Sequence, residues 1–123
     1  MALAVIFPGQ GTQQPGMGLA WRDHPAWTIV EQAELATGEA LSELVLDAPA
    51  QRLARTREAQ LAVLLTSLMA WEAIRDDVAE PVAFAGHSLG QVTALIGHEP
   101  NLQKVYWLRG GGVELRVSDA RAR

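Results

Sequence analysis

At 123 residues and a formal charge of −4, the chain has room for at most one domain and carries no basic field for nucleic acid. It has no cysteine, which excludes a disulfide framework and a thiolate metal site, and no metal is expected. The opening segment lacks the positive region of a signal peptide, and no apolar stretch approaches the length needed to span a bilayer, so a soluble, cytoplasmic protein is the expectation.

Residues 3–7 are a continuous apolar run ending in Val5, Ile6 and Phe7, and read as a buried strand, parallel and central. The run stops at Pro8-Gly9-Gln10-Gly11-Thr12-Gln13-Gln14-Pro15-Gly16-Met17-Gly18, a glycine-rich loop. Two phosphate-binding patterns fail on spacing. A dinucleotide fingerprint needs glycine where Gln14 stands, and a Walker loop needs Lys then Ser or Thr where Met17 and Gly18 stand. The loop's glycines and amides still permit close approach to a ligand; the plainer reading is a strand-to-helix connection. Asp23 or His24 can cap a helix with Pro25 in its first turn, Trp27, Val30 and Leu35 supply its apolar stripe, and Gly38 is placed to end it. Short helices are expected over 41–46 and 50–54. Thr56 can cap a longer helix over 57–77, whose apolar residues cover more than one face and so imply burial against a sheet and other helices. Gln60 lies in its first turn, where the plain reading is an exposed side chain.

Residues 82–85 read as a second buried strand. Gly86-His87-Ser88-Leu89-Gly90 follows, a G-x-S-x-G pattern, and then a helical stretch over 91–96. Strand, sharp turn and helix are the context in which this motif marks a nucleophile. The turn is too tight for side chains two places either side of the serine, hence glycine at both. With 11 glycines and serines at 42, 67, 88 and 118, chance supplies about 0.03 such pentapeptides. Ser88 is therefore the candidate nucleophile, with the Leu89 amide opening the next helix where negative charge is favoured. His87, as the serine's neighbour, points elsewhere and is not the base; His24 and His98 read as surface residues. Residues 97–100 break the chain, and Asn101 can cap a last helix over 102–108, ending at Arg109-Gly110-Gly111-Gly112. The tail is frayed, or an edge strand over 113–117.

Two separated stretches carry a resemblance. Phe7-Pro8-Gly9-Gln10-Gly11-Thr12-Gln13, with Gly16-Met17-Gly18, resembles the opening of the malonyl-CoA:acyl-carrier-protein transacylase family, which includes the acyltransferase domains of fatty acid and polyketide synthases. Gly86-His87-Ser88-Leu89-Gly90 resembles that family's nucleophile motif. Between them, Leu53-Ala54-Arg55-Thr56 followed by Gln60 is similar to its Leu-x-x-Thr…Gln segment, although Leu61 stands where proline is usual and Gln91 where Glu is frequent. The order and approximate spacing agree from residue 1 to about 96.

The resemblance implies an α/β fold with a three-layer, mainly parallel sheet and an α/β-hydrolase-like core. It implies acyl transfer from coenzyme A to Ser88 and then to the phosphopantetheine thiol of an acyl carrier protein, with malonyl-CoA and the carrier as partners and no tightly bound cofactor. The amides of Gln10 and Leu89 would form the oxyanion hole, Gln60 would belong to the substrate site, and Arg109, in an Arg-Gly pair, would bind the free carboxylate of malonate. Its fork of donors suits a carboxylate. The separation of 21 residues from Ser88 is a few short of the family's. The implied catalytic histidine lies well beyond the arginine, after a small ferredoxin-like subdomain that nothing here resembles. The expected organisation is the N-terminal part of the large subdomain over 1–109 and a divergent tail over 110–123. A sheet without its later strands would expose an edge and an apolar face, favouring self-association or a partner chain. The competing readings are a serine esterase or thioesterase sharing the same turn, and an inactive fragment that only binds a partner.

Overall fold

In the computed structural model the backbone is described for residues 2–98, 103–109 and 112–118, and side chains for 2–97. Strand β1 (Ala4–Phe7) pairs in parallel with β2 (Ala83–Gly86), Ala4 opposite Ala83 and Phe7 opposite Gly86. Four helices lie between them in the chain: α1 (Thr28–Thr37), α2 (Leu41–Leu46), α3 (Ala50–Leu53) and α4 (Thr56–Ile74). Helix α5 (Leu89–His98) follows β2, and an antiparallel hairpin, β3 (Gln103–Arg109) with β4 (Gly112–Ser118), follows α5. A parallel pair needs a crossover long enough to return the chain, and the helical segment supplies it.

Helix α4 is the centre of the packing. Ala59, Leu61 through Leu65, Leu68, Met69 and Trp71 are all buried, so apolar residues run most of the way round it. One side packs on α1 and α2 through Val30, Ala33, Leu41, Leu44 and Val45. Leu64 and Leu68 meet Ile96 of α5, and Trp71 joins Phe7 and Ala94 beneath the sheet. Trp71 meets Phe84 of β2 edge-on, centroids 5.5 Å apart, a geometry worth about 1 kcal/mol beyond area burial.

Local chemistry sets the helix limits. The His24 ring accepts the Ala26 N–H at 3.0 Å and caps the short 3₁₀ helix Pro25–Trp27. Helix α1 ends at Gly38, whose φ of 71° only glycine adopts freely. Helix α2 has no capping side chain of its own at Ala40; instead Glu34 of α1 accepts both the Ser42 N–H (3.1 Å) and hydroxyl (3.0 Å). A carboxylate there also suits the positive end of the helix dipole. Arg57 pairs with Glu39 and ties the start of α4 to the loop before α2.

The α/β class and the parallel pairing are as expected from sequence. Four details differ. Among the described residues β1 and β2 are not central buried strands: only Phe7 is buried, with Ile6 75% and Val82 72% exposed. Helices α4 and α5 cover the face bearing Val5, Phe7 and Phe84, while Ala4, Ile6, Ala83 and Ala85 face away, so the described part forms two layers. The helix expected over 102–108 is strand β3 where described, because Val105-Tyr106-Trp107 prefers a pleated surface and two residues then separate it from its antiparallel partner. Residue 102 and the Asn101 cap lie outside the described residues. Helix α4 starts at Thr56 itself, with Arg55 in the cap position and no side-chain cap, and ends at Ile74. The edge strand considered over 113–117 is present as β4, so the hairpin straddles position 110.

Among the described residues the sheet face bearing Ala4, Ile6, Ala83 and Ala85 is uncharged and uncovered and both sheet edges are open, a surface on which chains associate. Sedimentation of the protein over a concentration series is expected to show reversible association, and Ile6→Gln to shift it toward monomer with no loss of folded stability. A parent that stays monomeric throughout contradicts this.

Candidate active site

The junction of β2 and α5 is a turn of extreme tightness. Ser88 has φ 54°, and no other non-glycine residue among those described has a positive φ. A non-glycine residue in that region stores about 1–3 kcal/mol of strain, and such residues cluster at active sites. A Cβ on Gly86 would stand 1.9 Å from the carbonyl carbon of Gly90, and one on Gly90 would stand 2.2 Å from the carbonyl oxygen of Phe7. Both positions admit only glycine, as the motif requires. The first turn of α5 is closed by Gly90 N–H to His87 O (2.9 Å) and Gln91 N–H to Ser88 O (3.0 Å).

The loop after β1 lies against this turn. His87 N–H donates to Phe7 O at 3.4 Å, and a Cβ on Gly9 would stand 2.5 Å from His87 O. Gly9 is thus held against the serine turn by backbone packing, and Gln10 is the next residue along that loop. Among the described residues neither the Gln10 nor the Leu89 N–H donates a hydrogen bond. Ser88 is exposed, and its hydroxyl has no hydrogen-bond partner among the described residues. An accessible hydroxyl in a strained turn is chemically suited to attack a carbonyl, and unpaired backbone amides are the donors an oxyanion needs.

The other expected site residues are placed less closely. Gln60 is half-buried on α4, on the helical face that carries Val63 and Ser67 three and seven residues on. Those two residues, with Thr66, Ala70 and Ile74, line a groove of about 360 Å³ against β1, Pro8, Thr12 and Met17. Arg109 ends β3 opposite Gly112 rather than ending a helix, and its side chain lies outside the described residues, as does that of His98. His24 is committed to its cap, and His87 is exposed beside Gly9. No group of His, Cys, Asp or Glu able to hold a metal, and no helix long and apolar enough to cross a membrane, occurs among the described residues.

Two contacts escaped sequence reasoning. Thr12 Oγ1 donates to Gly9 O at 3.1 Å, and Gln13 Oε1 accepts the Gly11 N–H at 2.8 Å. Both close the glycine-rich loop on itself; no periodicity signals them, because they depend on the loop's φ values.

Residues 4–116 match the family model described as "Acyl transferase domain". The chain is 41% identical over 97 residues to a probable mitochondrial malonyl-CoA-acyl carrier protein transacylase of Drosophila melanogaster, covering 75% of this chain and 26% of that protein. It superposes on an acyl-carrier-protein S-malonyltransferase of Burkholderia pseudomallei 1710b with a TM-score of 0.73 at 35% identity, covering 79% of this chain and 32% of that one. It also superposes on the malonyl-transacylase of a complex with a type II PKS acyl-carrier protein, with a TM-score of 0.71 at 32% identity and coverage of 79% and 32%. The chain therefore spans about a quarter to a third of the length of the proteins it matches.

The turn's geometry predicts opposite signs for two substitutions in a urea titration. Gly86→Ala is expected to lose more than about 3 kcal/mol, since backbone must move to admit the Cβ. Ser88→Gly is expected to gain about 1 kcal/mol by relieving the positive φ. Equal and small effects from both would mean the turn is not under this constraint.

Proposed function

Because the chain belongs to the acyl transferase domain family, we propose that it carries the nucleophile and oxyanion hole of a malonyl-CoA:acyl-carrier-protein acyltransferase. The observation that carries this reading is the strained, exposed Ser88 in a turn whose preceding residue, His87, packs its carbonyl against Gly9, in a chain whose similar proteins are transacylases of that kind. Ser88 Oγ attacks the thioester carbonyl and gives up its proton to a base outside the described residues. The carbonyl oxygen becomes an oxyanion that accepts from the Gln10 and Leu89 amides. Each such donor lowers the barrier by about 3 kcal/mol. The intermediate collapses by breaking the C–S bond, coenzyme A leaves as the protonated thiol, and an acyl ester remains on Ser88. The carrier's phosphopantetheine thiol then attacks the ester through the same oxyanion, and the serine leaves with a proton. Coenzyme A thioester enters as substrate, so the chemistry calls for no bound cofactor.

Arg109 supplies the malonyl preference in this reading, pairing its guanidinium with the free carboxylate. Gln60 borders the substrate from the α4 face it shares with Val63 and Ser67. The relative solved with a carrier protein supports the choice of acceptor.

Intact-protein mass after brief incubation with malonyl-CoA is expected to show one malonyl group on the parent and none on Ser88→Ala; no adduct on a folded parent refutes the reading. Release of free malonate without transfer to a thiol would make the chain a hydrolase instead. Arg109→Ala is expected to cut the preference for malonyl-CoA over acetyl-CoA by about 10- to 100-fold, the worth of one charge-assisted pair. An unchanged ratio removes Arg109 from the site.

A further inference from the structure

We propose that Gln13 is a positioning residue, one whose side chain holds the glycine-rich loop so that the Gln10 amide stays free for the oxyanion. The inference rests on the acyltransferase reading above and adds a residue to its machinery. The loop leaves β1 anchored at Gly9, which is wedged under His87 O. Beyond that anchor stands Gly11, with φ +114° and nothing within 4 Å of where a Cβ would be. A backbone conformation open to glycine alone, with no packing around it, is a free hinge. Two side chains close it. Thr12 Oγ1 returns to Gly9 O at 3.1 Å, and Gln13 Oε1 takes the Gly11 N–H at 2.8 Å.

The consequence for Gln10 is one of competition. An oxyanion hole needs a donor that is unpaired before substrate arrives and does not swing away when it does. Gly11 supplies the adjacent amide on the same loop, and left unpaired it is the natural competitor for the same oxygen. With Gln13 accepting from Gly11, that donor is consumed and the hinge is fixed, and Gln10 is the amide left without a partner among the described residues. Gln13 is half-buried and Thr12 exposed, so neither is part of the hydrophobic core.

The test is Gln13→Met, which keeps length and loses the acceptor, with Thr12→Val as a second variant that removes the other tie. Acylation by malonyl-CoA is followed by quenched-flow intact mass over a range of substrate concentrations. Gln13→Met is expected to lower the maximal acylation rate about 100-fold, the effect of a displacement near 1 Å, with half-saturation and urea midpoint unchanged. Thr12→Val is expected to shift the maximal rate in the same direction. A maximal rate equal to the parent's overturns the proposal, and so does a loss confined to half-saturation. Amide exchange by NMR on the unacylated protein needs no turnover: the Gly11 N–H should be protected in the parent and lose that protection in Gln13→Met, while Gln10 exchanges freely in both. A parent that fails to acylate but shows this pattern refutes the acyltransferase reading and leaves the loop clamp standing; equal Gly11 exchange in the two proteins refutes the clamp.

Discussion

The structure depends on one contact made without side chains. At the ends of β1 and β2 three backbone segments close on each other: Gly86 against Gly90, Gly90 against Phe7 O, and Gly9 against His87 O. The parallel register brings Phe7 opposite Gly86, so the two strands end together and the loops leaving them must share one small volume. Below this knot the interaction changes character. The Phe7 ring packs with Trp71 and Ala94, its tip 3.2 Å from where a Cβ on Gly97 would stand, and Trp71 also meets Phe84 edge-on. The upper side is held by steric exclusion of anything larger than glycine, the lower side by aromatic burial on α4.

That division explains how a strained serine is sustained. A positive φ at Ser88 costs about 1–3 kcal/mol, and an isolated turn would relax to avoid it. Here relaxation would drive Gly90 off Phe7 O and lift α5 from Leu64 and Leu68, where Ile96 is buried. Each large apolar side chain so exposed costs about 1.5–3 kcal/mol. The core on α4 therefore outweighs the strain, and the hydroxyl is held out while the Leu89 amide opens the helix behind it.

How much of this was legible in the sequence follows the range of the interactions. The serine turn is local: five residues and their flanks specify it, and the positive φ and glycine contacts match what the motif demands. Helix α2 was readable over 41–46 from its apolar pattern, although the carboxylate that serves its start comes from Glu34 of α1. Burial of β1 and β2 was not readable, since burial is set by what a sheet packs against, and an apolar run such as 3–7 reads alike with or without a cover. At 103–109 two local signals competed. An asparagine before the stretch and glycines after it suggested a capped helix, but Val105-Tyr106-Trp107 and a two-residue gap before Gly112 favour a hairpin, and the pairing decided it. Gln60 could be assigned to α4, but its half-burial depends on tertiary packing that the sequence does not display. The bond from Gly11 to Gln13 depends on a glycine's φ, which composition does not encode.

The site's two chemical tasks are unequally distributed along the chain. Presenting a nucleophile and stabilising an oxyanion need only rigid backbone near one turn, and in the proposed acyltransferase reading residues 7–13 and 86–91 carry both. Removing the serine's proton needs a base, and the described side chains of His24, committed to its cap, and His87, the serine's neighbour in the turn, are not shown within reach of it. These tasks do not contribute additively. Serine hydrolases stripped of their triad keep about 10³–10⁴-fold acceleration over water from the oxyanion hole and substrate binding alone. Such residual catalysis is tied to backbone geometry, which in this chain is secured by glycine contacts and by α4. A polypeptide holding this part of an acyltransferase thus holds the part whose geometry is hardest to assemble piecemeal, while the proton acceptor is a single side chain that can approach an exposed Ser88 from outside.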